Sequence, residues 1–596
     1  MADSPLKNSD GVATFTIKIA GAPINSEYQV VSIEVNKQIN RIPTATFELL
    51  DGSPATGEFP ISDENDFKPG NEVIISAGYD STESQIFRGI IIRHGISISG
   101  ESGAKLIIEC KDKAIGMTIA RHSNNYVKQK DSEIITTLIN NCSGVTADVA
   151  TTTTTFEELV QFNCTDWDFI LARAEANGLV ICIDDNTLTI EEPQTSSSAV
   201  LTLTYGNDLI EFTADIDARY QFKSVKGISW DISTQTAVFE QVAAKTMNAQ
   251  GDLKSVELAD TLALADYRMQ TGTALEKTAL KDWATGQQVK SALARIRGQM
   301  KFQGNASAKV GCIIEAVGVG SRFSGDLYIS GVKQTIGEGQ WFTETTFGLS
   351  PSWSAEHRDL AAPPAAGLMP GVEGLQIGVV MKLDGDPNEQ NRIQVSVPVM
   401  QAQTEGVWAR LATYYASSDF GHFFIPEIGD EVVLGYFNND PCEPVILGSM
   451  YSSKNKPAYA LSAENNLKAI VTKSKLKIEF NEEDKVITVI TPSNNKIILS
   501  DKDKSILLQD QNDNKVELGT GGITLDSPKD ITISAKGKIS IDAVGAVSIS
   551  SKADVKGEGL NVNLTAKVGF VAKGSATAEL SASGQTTVKG AMVMIN

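Results

Sequence analysis

From Ile523 onward, apolar residues recur in pairs two positions apart, and the pairs recur every eight residues: Ile523/Leu525, Ile531/Ile533, Ile539/Ile541, Val547/Ile549 and Val555/Gly557. After a slip of one residue the cadence resumes as Val562/Leu564, Phe570/Ala572, Ala578/Leu580 and Thr586/Val588. Residues two apart on an extended chain share a face, so each unit offers one narrow apolar stripe. Turn formers and charges lie between stripes, as in Ala535-Lys536-Gly537-Lys538. A unit this short cannot bury its own face and must stack on neighbours. The pattern predicts a long β-prism. Upstream the pairs Leu476/Ile478, Ile487/Val489, Ile497/Leu499, Ile506/Leu508 and Val516/Leu518 step by nine to eleven residues, which predicts a wider section with longer turns.

Two arrangements could bury such stripes. Three chains wound about one axis would each supply a wall of a shared triangular core. A single chain could instead form a β-helix of three faces, about 24 residues per coil, capped at both ends. Beyond position 460 there is no Trp, Tyr, Cys or Arg and only two Phe, too little bulk for a globular core of its own. Both arrangements stay open on the repeat alone; what precedes the repeat favours the intertwined trimer, with Ile523, Leu525, Ile531, Ile533, Ile539, Ile541, Val547, Ile549, Leu564 and Leu580 as its core. Each such side chain, once buried, contributes roughly 1.5–3 kcal/mol at the upper end.

The first 360 residues alternate strand and helix signals. Strands are predicted at 15–19, 30–35, 73–77, 87–93 and 105–110, with a helix opening at Asp131-Ser132-Glu133 and a linker or strand at the threonine run 151–155. In the segment 161–178, Thr165 is placed to cap a helix, Asp168 to reciprocate and Gly178 to supply the left-handed stop. Trp167, Ile170, Leu171 and Ala174 fall on its buried face, and a strand follows at 179–183. Residues 256–298 read as helical, with strands returning at 308–317 and 327–334. Ala361 to Gly367 is a linker rich in Ala and Pro. Five short strands between 378 and 448 then suit an OB-like barrel.

With 596 residues there is room for three or four domains, and no apolar run is long enough to span a membrane. Met1-Ala2-Asp3-Ser4-Pro5 lacks the features of a secretory signal, which predicts synthesis in the cytosol and release only by a dedicated machine. The six cysteines are widely spaced without a CxxC pair and read as reduced, partly buried small hydrophobes. Net charge is −21, yet after position 460 there are 17 Lys against 16 Asp plus Glu, so the acidic excess sits upstream. A nucleic-acid partner needs a basic face and is not expected.

The segments Phe424-Ile425-Pro426-Glu427-Ile428-Gly429-Asp430-Glu431-Val432-Val433 and Asn438 to Tyr451, with Trp408-Ala409-Arg410 and Asp419-Phe420-Gly421, resemble the OB-domain signature of VgrG proteins. VgrG proteins are hub-spikes of type VI secretion and related contractile injection systems. The helix motif at 161–178, Phe323 to Ile329 and Gly339 to Thr343 resemble the hub portion of the same family. The resemblance implies a mainly β protein in four parts: a tail-hub region at 1–360 with two barrel-like domains and docked helices, a linker at 361–374, an OB-fold at 375–458 and a triple-stranded intertwined β-helix spike at 459–596. It also implies a homotrimer that meets a tail-tube (Hcp-like) protein and baseplate proteins, carries a PAAR-repeat-type tip protein and helps deliver effector cargo. One departure stands out. Where relatives often carry a His near Val332, this chain has Lys333 and Gln334, which argues against His-based chemistry there.

No enzyme site emerges, and no cofactor or metal is expected. The four histidines (His94, His122, His357, His422) are scattered, with no HExxH, phosphate loop or nucleophile elbow. Asp166, Asp168 and Glu175 read as capping and surface-paired residues rather than catalytic acids, and Asp384 to Asn388 as a hairpin turn rather than a calcium loop. A tailspike-like polysaccharide-degrading β-helix is the alternative, but its groove would need carboxylates and aromatics, and the rod beyond position 460 has neither Trp nor Tyr. A trimeric adhesin would carry a signal peptide. Ala591 to Asn596 is read as an apolar end without a toxin extension, with Met592, Val593, Met594 and Ile595 as the seat of the tip protein.

Overall fold

A computed structural model describes residues 2–6, 11–101, 103–356, 362–401 and 406–595. The chain divides into two compact units, Met1–Met450 and Tyr451–Asn596. The fold is mainly β, with one five-stranded closed barrel.

In the first unit, strands 30–38, 44–50, 72–79 and 103–111 bury every second residue: Ile33 and Val35, Phe47 and Leu49, Val73 and Ile75, Leu106 and Ile108. That period of two makes them walls of a single core, closed by Phe67 and Trp341. They belong to a thirteen-stranded sheet that continues through 325–337, 340–347 and 296–303 to 209–216. Strand 325–337 ties two cores together. Its Leu327, Ile329 and Val332 join Met300, Phe302 and Phe347, whereas its Ile336 reaches the Phe47 core. A register shift falls between Ile329 and Gly331, ahead of the stretch from Val332 to Ile336 over which the strand passes from one core to the other.

Helices α1 (Asp131–Asn140) and α2 (Asp166–Ala176) pack with strands 146–149, 180–184 and 187–191 around Ile134, Ile135, Ile170 and Ile181. The α2 ends follow the reading of the sequence. Thr165 Oγ1 accepts from the Asp168 amide at 3.0 Å, and Gly178 closes the helix with φ +72°. The threonine run is a staple: Thr152 bonds Ser132 and Thr154 bonds Thr278, and the strand begins at Thr155.

The stretch expected to be helical over 256–298 is more broken. It holds α3 (Ser255–Thr261), a strand at 267–270 and α4 (Lys277–Leu293), after which Ile296–Gln303 runs as a strand. Ile296, Met300 and Phe302 are buried with period two, and pairing to 209–216 and 340–347 overrides the helical spacing upstream. The strand expected from Ala308 begins only at Ile313.

The barrel comprises 376–382, 393–396, 407–411, 444–449 and 431–436 in spatial order. Val380, Val395, Ala409, Val432, Leu434 and Ile446 fill it.

The second unit opens as a seven-stranded antiparallel meander: 467–471, 477–481, 486–490, 496–500, 505–509, 515–519 and 522–526. Leu476 does not pair with Ile478 on a strand face. It closes the preceding turn, and the facing pair on that strand is Ile478/Phe480. From 527 to 595 the described chain has no strand paired within itself, only extended segments broken by bends. Bends at 528–529, 536–537, 544–545 and 552–553 keep the eight-residue step, and those at 567–568, 575–576 and 583–584 resume it one residue early. The slip read from the sequence is thus a feature of the backbone path.

Candidate assembly surfaces

Residues that could be mistaken for catalytic acids are engaged in structure. Asp166 accepts from Gln161 Nε2 at 2.8 Å and faces His122 Nδ1 at 3.1 Å. Asp168 accepts from Thr165 Oγ1 at 2.6 Å. Glu175 is not a surface residue. It is 3% exposed and joins four segments, accepting from Lys290 Nζ at 2.7 Å, the Ser354 amide at 2.8 Å and Asn40 Nδ2 at 3.3 Å. An acid on a helix reads as surface-paired, and its spacing four from Leu171 on the buried face is the sequence signal for burial. Beside it, Arg173 clasps Asp131 with two bonds of 2.7 and 2.9 Å, locking α2 to α1.

The other polar candidates are likewise saturated. Gln334 Oε1 accepts from Trp341 Nε1 at 2.8 Å and Thr343 Oγ1 at 2.7 Å, while Lys333 pairs with Glu34 at 2.8 Å. His94 lies between Ser62 Oγ and the Phe67 carbonyl, and His357 falls outside the described residues. The Asp386 carboxylate receives the amides of Asn388, Gln390 and Arg392. The Arg392 guanidinium bonded to it holds that carboxyl well below its usual range, so the hairpin closes on itself. Burial pushes the Cys182 thiol up to about 12 and Cys312 to about 11, and these cysteines are free. Among the described residues no group of three or more His, Cys, Asp or Glu is placed to hold a metal ion.

What the fold leaves open is apolar. On the barrel, the loop after strand 407–411 exposes Tyr414, Phe420, Phe423 and Phe424. His422 sits between Tyr414 and Phe424, its ring centroid 4.2 and 4.3 Å from theirs. Reading the sequence for motifs found Asp419-Phe420-Gly421 but missed this stack, although five aromatics within 414–424 announce it.

In the second unit the imbalance is larger. Ser500 is the only buried residue among those described from 451 on. The meander face bearing Ile487, Val489, Ile497, Leu499, Ile506 and Leu508 leaves each 38–43% exposed. Downstream, Ile523, Leu525, Ile531, Ile533, Ile539, Ile541, Val547, Ile549, Leu564 and Leu580 are all exposed, as are Met592, Val593, Met594 and Ile595. Some seventy residues of extended backbone beyond 526 carry amides and carbonyls without strand partners in their own chain.

Comparison with known proteins places two segments. Residues 9–338 match the family model described as the Alg8 N-terminal domain, and 376–451 match the type VI secretion system/phage-baseplate injector OB domain. Over 158 residues the chain is 30% identical to the type VI secretion system spike protein VgrG2a of Pseudomonas aeruginosa, covering 25% of this chain and 19% of that protein. It is 27% identical over 161 residues to a Vibrio cholerae protein named actin cross-linking toxin VgrG1, covering 25% and 14%. The match thus spans a fifth or less of these relatives' length. Among solved structures, an Escherichia coli type VI secretion component described as similar to the bacteriophage T4 tail proteins gp27 and gp5 aligns at 12% identity and TM-score 0.36, over 73% of this chain and 99% of its own. A chain of a Francisella PdpA–VgrG complex aligns at 11% identity and TM-score 0.34, over 84% and 80%.

Proposed function

Because the chain belongs to the family of the Alg8 N-terminal domain and is a VgrG-type hub-spike protein, we propose that three copies form the spike of a contractile injection machine. The single observation that carries the trimer is the second unit, whose apolar residues and strand-forming backbone find no burial or partner within one chain. A single-chain β-helix would pair its own coils, and residues 527–595 do not. A homotypic partner also fits the slip near 555–562, because only a chain slipped at the same place stays in register on both sides of it.

In this reading residues 1–360 are the hub that meets an Hcp-like tube and the baseplate, followed by the OB barrel. The exposed Met592, Val593, Met594 and Ile595 seat a PAAR-repeat-type tip, and effectors travel as cargo. The part is mechanical rather than catalytic: three chains sharing every layer leave no free edge from which a rod could be unzipped under axial load. It is assembled in the cytoplasm and delivered outward on contraction. Among the described residues no helix is long and apolar enough to cross a membrane.

Light scattering tests the core of this reading. Three times the 63.8 kDa chain mass is expected, and a monomer at micromolar concentration would sink it. Truncation after Gly590 is expected to abolish capture of a PAAR-type protein without changing that mass; unchanged capture would remove the tip assignment.

A further inference from the structure

The meander between 467 and 519 repeats with a period of 19 residues. Its module is a five-residue strand, a five-residue turn, a second five-residue strand and a four-residue turn. Strands starting at Lys477, Lys496 and Lys515 are spaced by 19, as are those starting at Leu467, Val486 and Ser505. The backbone obeys the same period. Lys475, Asn494 and Asp513 all adopt positive φ (65°, 66°, 65°), and so do Lys485 and Lys504 (54°, 50°). In each five-residue turn the first residue's amide donates to the last residue's carbonyl: Thr472 to Leu476, Thr491 to Asn495 and Asp510 to Asn514, at 2.9, 3.0 and 3.0 Å. The side chain of that first residue also accepts the last residue's amide, from a threonine hydroxyl twice and from Asp510 the third time.

The apolar columns follow suit. Ile478, Ile497 and Val516 are one position at successive modules, as are Phe480, Leu499 and Leu518; Ile487 and Ile506, with Val489 and Leu508, complete the face. Cross-strand pairing such as Ile487 to Leu499 and Leu499 to Ile506 stacks these into two unbroken columns. The columns stay two wide through Ile523/Leu525, whose strand follows a shorter turn, and into Ile531/Ile533. Seven strands at about 4.8 Å make a wall about 30 Å tall along the axis.

We propose that 467–519 is a modular wall whose apolar face packs against the same face of two further copies of this chain, and that the 19-residue module, not the single strand, is its unit of length. The occupant is another copy because the face runs without interruption into stripes whose backbone demands identical chains. An antiparallel wall must also gain or lose strands in twos. Adding one strand reverses every strand downstream and delivers the chain to position 527 at the opposite edge, where the eight-residue zipper starts in the wrong direction.

This proposal rests on the trimer reading, and the test separates the two. In the full-length chain, a second copy of 486–504 is inserted after Lys504, and in another variant a second copy of 486–495 after Asn495. The 19-residue duplication is expected to give trimers as heat-resistant as wild type, with a shaft about 10 Å longer by electron microscopy, two strand spacings. The ten-residue duplication is expected to lose resistant trimers. Deletion of 486–504 gives a second whole-module variant, expected trimeric and about 10 Å shorter. A monomeric wild type removes the trimer reading itself. A trimeric wild type whose 19-residue duplication fails to assemble, or whose ten-residue duplication assembles equally well, overturns the module alone.

Discussion

At the scale of residues, the first unit is held by buried polar contacts as well as by its apolar cores. Glu175 and Lys290 are 3% and 13% exposed at their side chains, and removing the acid strands the ammonium beside Trp353. Breaking such a pair costs about 3–5 kcal/mol. Glu175→Ala is therefore expected to lower hub stability by that amount in urea melts, whereas Glu175→Gln, which keeps one acceptor oxygen for Asn40 and the Ser354 hydroxyl, costs less. Asp184 provides a pH signature. Burial raises its carboxyl, but Lys37 and Lys309 outweigh that and hold it below its ordinary value. A carboxyl depressed in the folded state stabilises above its unfolded pKa, and that stabilisation fades as pH falls through the depressed value. The destabilisation caused by Asp184→Asn is therefore expected at pH 7 and shrinks in thermal melts taken progressively below pH 4. Thiols report burial directly. Cys442 is exposed, while Cys110 is buried and Cys182 and Cys312 are pushed up, so a maleimide is expected to label Cys442 first in the native protein.

At the scale of elements, the bend positions decide which apolar residues matter. Ile539 lies on the repeated stripe, whereas Val544 lies at a bend and is far more exposed than Ile539 (112% against 52%). In the proposed trimer, Ile539→Asp would place three unpaired carboxylates on the axis, at several kcal/mol per trimer. Loss of heat- and detergent-resistant trimers is expected for Ile539→Asp on gels, and wild-type resistance for Val544→Asp. Much of this was legible in the sequence, because periods of two and eight survive as patterns of residue type. The bends and the slip fall where that pattern put them. The α2 helix was legible for a different reason, since Thr165 and Gly178 carry their geometry locally. Other features were not. Ile296–Gln303 follows a helix without punctuation and becomes a strand only because sheet neighbours distant in sequence accept it. Spacing from Leu171 puts Glu175 on the buried face, but its partners Lys290 and Ser354 lie more than a hundred residues away, and no local spacing names them. The 19-residue module hid behind uneven steps, because its two turns differ in length by one residue.

For the molecule as a whole, the two units differ in what stabilises them. The first, Met1–Met450, buries Phe47, Phe87, Phe302, Ile170 and Val395 within one chain, so its cores exist before any partner arrives. The second buries almost nothing alone; in the proposed trimer its folding is inseparable from association, and its apparent stability follows protomer concentration by mass action. Calorimetry is thus expected to resolve two transitions. The one that grows with protomer concentration belongs to the spike, and it disappears from a chain truncated after Met450, while the hub transition remains. Assembly order follows from the same contrast. In the proposed trimer the hubs fold first, and association of three hubs then brings their second units to high local concentration, converting a three-body encounter into a tethered one. Separating the units is therefore expected to slow spike formation: fragment 451–596 should refold to resistant trimers more slowly than the full chain at equal concentration. Equal rates would mean that the spike registers itself without help from the hub.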